Sequence, residues 1–87
     1  MSEAIRNTIV AIIAEAGRLP VAAETLTDDA DLYQAGLTSF ASVQLMLAIE
    51  DRFGVEFPDR YLNRRSFASI ASIRAVVSEL LTEREAA

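Results

Sequence analysis

The chain has no cysteine, no histidine, no lysine and no tryptophan among its 87 residues, and only three glycines and two prolines. Without cysteine, no disulfide can staple so short a chain, and stability must come from packed helices. Without cysteine and histidine, the usual pairings of nucleophile and base are missing, and without lysine there is no Schiff-base chemistry. No glycine-rich phosphate loop occurs, and nothing in the pattern brings two carboxylates together in an apolar pocket. The chain therefore reads as a protein that is not an enzyme. No apolar run approaches the ~20 residues of a membrane span. The N-terminal stretch carries Glu3 and Arg6 and has neither the basic head and apolar core of a signal peptide nor its small-residue cleavage pattern. A cytoplasmic protein is the expectation.

What is present is apolar and acidic. Hydrophobic residues make up 52% of the chain and charged residues 24%, enough for one core under a charged surface. Residues 1–87 read as a single domain, expected to be a monomer. The formal net charge of −5 argues against nucleic acid, including a basic helix-turn-helix DNA binder, because phosphate binding needs a basic face. Acid is concentrated in the first half, whereas Arg60, Arg64 and Arg65 form a basic cluster further on. Its plain reading is a solvated surface; the sharper one is a docking edge for an acidic partner patch or a phosphate.

Apolar periodicity predicts a first helix from Ser2, as cap, to Ala16, with Ile5, Ile9, Ile12 and Ile13 on one face. Gly17 is placed as the left-handed residue that closes it, with Pro20 preventing continuation. A loop of roughly twenty residues then runs to Thr38, long enough to be more often functional than accidental. Leu26, Leu32, Tyr33 and Leu37 are its expected anchors, with a turn near Asp31 to Gln34. A second helix begins at Thr38 or Ser39, buries Leu45, Ile49 and Phe53, and ends at Gly54. Asp59 is expected to cap a brief third helix to about Asn63, with Tyr61 and Leu62 pointing inward. Ser66 or Ser69 caps the last helix, whose stripe is Ile70, Ile73, Val76 or Val77, and Leu80, before a tail that frays from Thr82. The sum is an all-α, four-helix bundle with one short member and one long connection.

Asp28, Asp29 and Asp31 do not make a metal loop. A calcium loop needs a bidentate glutamate at its twelfth position, and counting from Asp29 that residue is Phe40. No metal site is expected.

The most informative run is Gly36, Leu37, Thr38, Ser39 and Phe40, which stops the loop and opens the second helix. By itself, a threonine and a serine before an apolar helix are caps. Thr38 can fill that role and leave Ser39 in the first turn with its hydroxyl free, beside unpartnered backbone N–H groups that favour a phosphate. Together with Asp31, Leu32 and Tyr33 upstream and Val43, Leu45, Met46, Leu47, Ile49, Glu50, Phe53, Gly54, Val55, Phe57 and Pro58 downstream, the run resembles the acyl carrier and peptidyl carrier protein family. That resemblance implies an acyl-carrier-type bundle in which Ser39 bears 4′-phosphopantetheine, transferred from coenzyme A by a phosphopantetheinyl transferase. It also implies an acyl- or amino-acid-activating ligase that loads the arm and a downstream acyltransferase or synthase that unloads it.

Two departures from the family pattern bear on the cargo. The frequent aspartate before the serine is Thr38 here, and the second helix has Ala41, Ser42, Gln44 and Ala48 where fatty acid carriers are heavily acidic. A specialised acyl carrier, or an aminoacyl carrier loaded by a free-standing ligase related to aminoacyl-tRNA synthetases, is expected ahead of a housekeeping fatty acid carrier. Docking is assigned to Thr38 and to an apolar stripe of Phe40, Val43 and Leu47, set apart from the core face, and, by the same resemblance, to Arg60, Arg64 and Arg65 in or just after the short third helix. The reading of another class is an unmodified helical interaction module.

Overall fold

The computed structural model describes residues 2–86. They form α1 (Ser2–Ala16), α2 (Ser39–Phe53) and α3 (Ile70–Ala86), joined by irregular chain with short 3₁₀ turns at Ala23–Thr25, Asp59–Tyr61 and Arg64–Phe67. No strand occurs among the described residues. Helix α1 packs against both α2 and α3, and the side chains between them are Ile9, Ile12 and Ile13 from α1, Leu45 and Ile49 from α2, and Ile70, Ile73 and Val77 from α3. Each such residue withdrawn from water contributes about 1.5–3 kcal/mol before the entropy of ordering is charged against it. Ile5 and Phe53, expected in the core, are only partly buried at its edge, whereas Val76 and Val77 are both buried. The expected cap at Ser2 rests on a side chain outside the described residues.

The anticipated short third helix is not an α-helix. Its place is taken by the separate turns Asp59–Tyr61 and Arg64–Phe67, so three α-helices stand where four were expected. Five residues are too few to offset helix nucleation. Asn63 moreover adopts an extended backbone, with φ −148°, and its side chain accepts from Ser66 N–H at 3.1 Å, starting a second turn instead of continuing the first. Asp59 is the first residue of its turn and makes no cap; the preceding residue is Pro58. Tyr61 packs on the core as expected, but Leu62 points outward and is 49% exposed.

Two helix ends differ from expectation. The left-handed residue after α1 is Arg18, at φ 54°, and not Gly17. Gly17 is buried with its N–H still bonded to Ile13 O at 2.8 Å, and a Cβ there would lie 2.7 Å from that oxygen, so glycine provides room and not a positive φ. The tail does not fray at Thr82: α3 continues to Ala86. Arg84 fixes it, donating from one guanidinium nitrogen to Phe53 O at 3.1 Å and Gly54 O at 3.2 Å, carbonyls at the end of α2 that lack helical partners. Ser69, not Ser66, caps α3, accepting from Ser72 N–H at 3.1 Å. Asp28 O accepts from Ala71 N–H at 3.0 Å in the first turn of the same helix, which ties the long loop to it.

Candidate functional site

The loop between α1 and α2 is anchored to the core by buried side chains and backbone hydrogen bonds. Leu32 is fully buried and Leu37 nearly so, while Leu26 and Tyr33 lean on the same core. Leu32 N–H donates to Ala68 O at 2.8 Å, and Leu37 N–H returns to Leu32 O at 2.9 Å, closing the turn expected there. Asp31 starts that turn by accepting from Tyr33 N–H at 2.9 Å. Asp28 is engaged by the guanidinium groups of Arg6 and Arg74. These two aspartates therefore have structural work, a turn and a pair of ion contacts. Gly36 adopts φ 122°, and a Cβ there would meet Pro20 Cδ at 2.6 Å. Only glycine lets the loop pass Pro20 and deliver Leu37 to the core and Thr38 to the mouth of α2.

Thr38 caps α2 as read from the sequence, with an extended backbone and its hydroxyl accepting from Ala41 N–H at 3.0 Å. Ser39 is the first residue of the helix and exposed. Among the described residues its hydroxyl has no hydrogen-bond partner. The N–H groups of Ser39 and Phe40 lie in the first turn, where no intrahelical acceptor exists and the helix dipole is positive. The geometry therefore offers an accessible oxygen nucleophile in surroundings that welcome an anion.

Phe40, Val43 and Leu47 are exposed by 68%, 50% and 50%, forming the expected apolar stripe next to Ser39. From Ser39 to Ile49 the helix carries no charged side chain. Of the two acids that follow, Glu50 is committed internally: its carboxylate accepts from Phe57 N–H at 2.8 Å and holds the chain leaving α2.

The three arginines do not share one face. Arg60 pairs with Glu83 at 2.7 Å and lies over the Tyr61 ring, whose hydroxyl donates to Glu79. Arg65 borders the same depression as Arg60, near Ser72 and Ala75. Arg64 faces the other way, into a surface cleft of about 390 Å³ that it lines with Ser39, Tyr33, Met46, Leu62 and Phe67. Its guanidinium sits 3.8 Å from the centre of the Tyr33 ring, and its backbone carbonyl accepts from Tyr33 Oη–H at 3.2 Å. The Tyr33 phenol is raised above its ordinary pKa, chiefly by burial, with Arg64 opposing and Asp31 adding to the shift, so it remains a protonated donor. The sequence places Tyr33 only as a loop anchor. Its six-residue separation from Ser39 carries no signal that the loop folds back to put both beside Arg64.

The family model described as "phosphopantetheine attachment site" matches residues 7–80. The chain belongs to that carrier family. A curated aminoacyl carrier protein from Agrobacterium fabrum is 58% identical over 80 residues, covering 92% of this chain and 96% of its own. A crystal structure of an engineered Bradyrhizobium japonicum glycine:[carrier protein] ligase complexed with carrier protein from Agrobacterium tumefaciens and AMP contains a chain 57% identical to this one. The TM-score is 0.82, and the match covers 84% of this chain and 97% of that one. A crystal structure of the Bradyrhizobium japonicum ligase complexed with glycylated carrier protein matches at 29% identity and TM-score 0.69, over 83% of this chain and 97% of that one. The prosthetic group of the family is 4′-phosphopantetheine, and these likenesses favour the aminoacyl reading over the specialised acyl one. No helix among the described residues is long and apolar enough to cross a membrane.

Proposed function

We propose that this chain is an aminoacyl carrier protein, modified at Ser39 and loaded by a free-standing amino-acid-activating ligase. The observation that carries the reading is the unpartnered Ser39 hydroxyl at the start of α2, in a chain 58% identical to an aminoacyl carrier protein. The residues present fit the arm. Thr38 satisfies the cap and spares Ser39, while the Ser39 and Phe40 N–H groups face the place where a phosphodiester would carry its negative charge.

In attachment, Ser39 Oγ forms a bond to the phosphorus of coenzyme A that carries the pantetheine. The phosphorus–oxygen bond to the nucleotide half breaks, and adenosine 3′,5′-bisphosphate leaves with that electron pair. The hydroxyl proton passes to a base of the phosphopantetheinyl transferase, since among the described residues no carboxylate of this chain is hydrogen-bonded to Ser39 Oγ and the chain has no histidine or lysine. Once bound, the arm supplies a thiol that holds the amino acid as a readily attacked thioester. A downstream acyltransferase or synthase then receives the cargo, with tethering raising its local concentration. The chain is proposed to act as a cytoplasmic monomer. In the unloaded chain the space between the helices is filled by side chains, Leu45, Ile49, Ile70, Ile73 and Val77 all being at 0% exposure.

The test is to attach the arm with coenzyme A and a broad-specificity transferase, then offer ATP, a panel of amino acids and short acids, and a glycine:[carrier protein] ligase. One small amino acid is expected to add by mass, released by hydroxylamine as thioesters are. Acceptance of short acids alone would return the reading to a specialised acyl carrier. A chain that stays unmodified would be an interaction module.

Thr38, Phe40, Val43 and Leu47, with Leu62, are proposed as the ligase-docking edge, with Arg64 beside it; Arg65 lies on the depression it shares with Arg60, and Arg60 is spent on Glu83. Large exposed aromatics dominate interface energetics. Phe40→Ser is expected to lower kcat/KM for ligase loading about tenfold, equivalent to ~1.4 kcal/mol, while shifting stability by no more than ~0.5 kcal/mol. An unchanged kcat/KM would remove Phe40 from the interface.

A further inference from the structure

The cleft beside Ser39 has one charged side chain in its lining, and that side chain is held in place. Tyr33, Met46, Leu62 and Phe67 give it an apolar floor and walls, Ser42 and Asn63 join Ser39 as its neutral polar members, and Arg64 is the one ion among the described residues that line it. An exposed arginine normally samples many rotamers, which weakens any pair it makes. Here the guanidinium is stacked at 3.8 Å on a ring that the protein itself fixes. Tyr33 is anchored by its N–H on Asp31 at 2.9 Å and by its hydroxyl on Arg64 O at 3.2 Å. Stacking leaves the edge of the guanidinium, where its N–H donors point, available to an anion. Among the described residues, no carboxylate lines the cleft to take those donors.

We infer that Arg64, braced by Tyr33, is a positioning residue for the arm: its guanidinium pairs with the phosphodiester at Ser39 and lays the pantetheine over Met46 and Leu62 when no partner is docked. The inference rests on attachment at Ser39 and adds to it a resting place for the arm. The pantetheine portion, with two amides and a dimethyl group, suits a surface that is apolar along Met46, Leu62 and Phe67 and polar at Ser42 and Asn63. Arg65, one residue later, borders a different depression and supplies the control.

The test uses the arm-bearing protein, with attachment verified by mass. In the parent and Arg65→Gln, the pantetheine methyl protons are expected to give NOE cross-peaks to Met46 and Leu62, and phosphorus-31 relaxation to show a phosphodiester slowed with the domain. Arg64→Gln should lower the docked-to-free ratio about two- to five-fold, the size of a single exposed charge pair, and raised salt should do the same to the parent. The backbone carbonyl that receives the Tyr33 hydroxyl survives that substitution, so the turn keeps its anchor. Identical cross-peaks and relaxation in Arg64→Gln, or a phosphorus signal as mobile in the parent as in an unfolded peptide, overturn the inference while leaving the carrier function standing. Absence of any arm on Ser39 removes both together.

Discussion

Ser39→Ala is expected to abolish attachment of the arm altogether, with the variant melting within a few degrees of the parent. The loss is total because no neighbouring hydroxyl can substitute. Thr38 Oγ1 is committed to Ala41 N–H at 3.0 Å, and Ser42 Oγ–H donates to Ser39 O of its own helix at 2.7 Å. The fold survives because an exposed, unpartnered oxygen is all that is removed. Alanine has a higher helix propensity than serine, and the Thr38 cap is untouched, so stability changes by no more than about 0.5 kcal/mol. Intact mass after incubation with coenzyme A and a transferase, beside thermal melting by circular dichroism, reads both halves. A mass gain on Ser39→Ala would place the arm elsewhere and undo the assignment of the site.

The geometry of the candidate site was legible because it is local. The stop at Gly36, the cap at Thr38 and the free hydroxyl at Ser39 depend on consecutive residues, and a helix start is a short-range event. The apolar faces of the three long helices were legible for a similar reason: Leu45 and Ile49, or Ile70, Ile73 and Leu80, reveal themselves by spacing. What stayed hidden was set by contacts between distant segments. Arg84 extends α3 by reaching carbonyls some thirty positions earlier, and no periodicity announces that. Arg60, Arg64 and Arg65 look like one cluster in the chain, yet the backbone turns between them and sends Arg64 towards Ser39 and Arg60 towards Glu83. Glu50, counted from the sequence among the few acids left on α2, proves to be an internal acceptor for Phe57. The Asp59 region misled for a different reason. Its residues suit a helix start, but Asn63 offers the backbone a competing turn before a helix can propagate.

Leu32→Ala is expected to destabilise the chain by about 2–5 kcal/mol, as much as a truncation inside a helix, although Leu32 lies in the long loop. Its side chain has 0% exposure, so removing it opens a cavity that the surrounding Ile and Leu side chains can close only in part. The backbone around it cannot relax freely, because Leu32 N–H is tied to Ala68 O at 2.8 Å and its carbonyl to Leu37 N–H at 2.9 Å. A domain of this length has only about 4–13 kcal/mol of total stability at roughly 0.05–0.15 kcal/mol per residue, so the loss is a large share. Each kcal/mol corresponds to a shift of about 4–8 °C for a domain of 60–100 residues, which puts the melting temperature at least 8 °C below the parent's. Attachment at Ser39 should then proceed normally in the cold, where the variant is folded, and fail on warming well before the parent does. A melting temperature matching the parent's would mean that the loop is carried passively by the helices. The expected drop, paired with normal modification at low temperature, would instead show that the loop's burial maintains the platform on which Thr38 and Ser39 are presented.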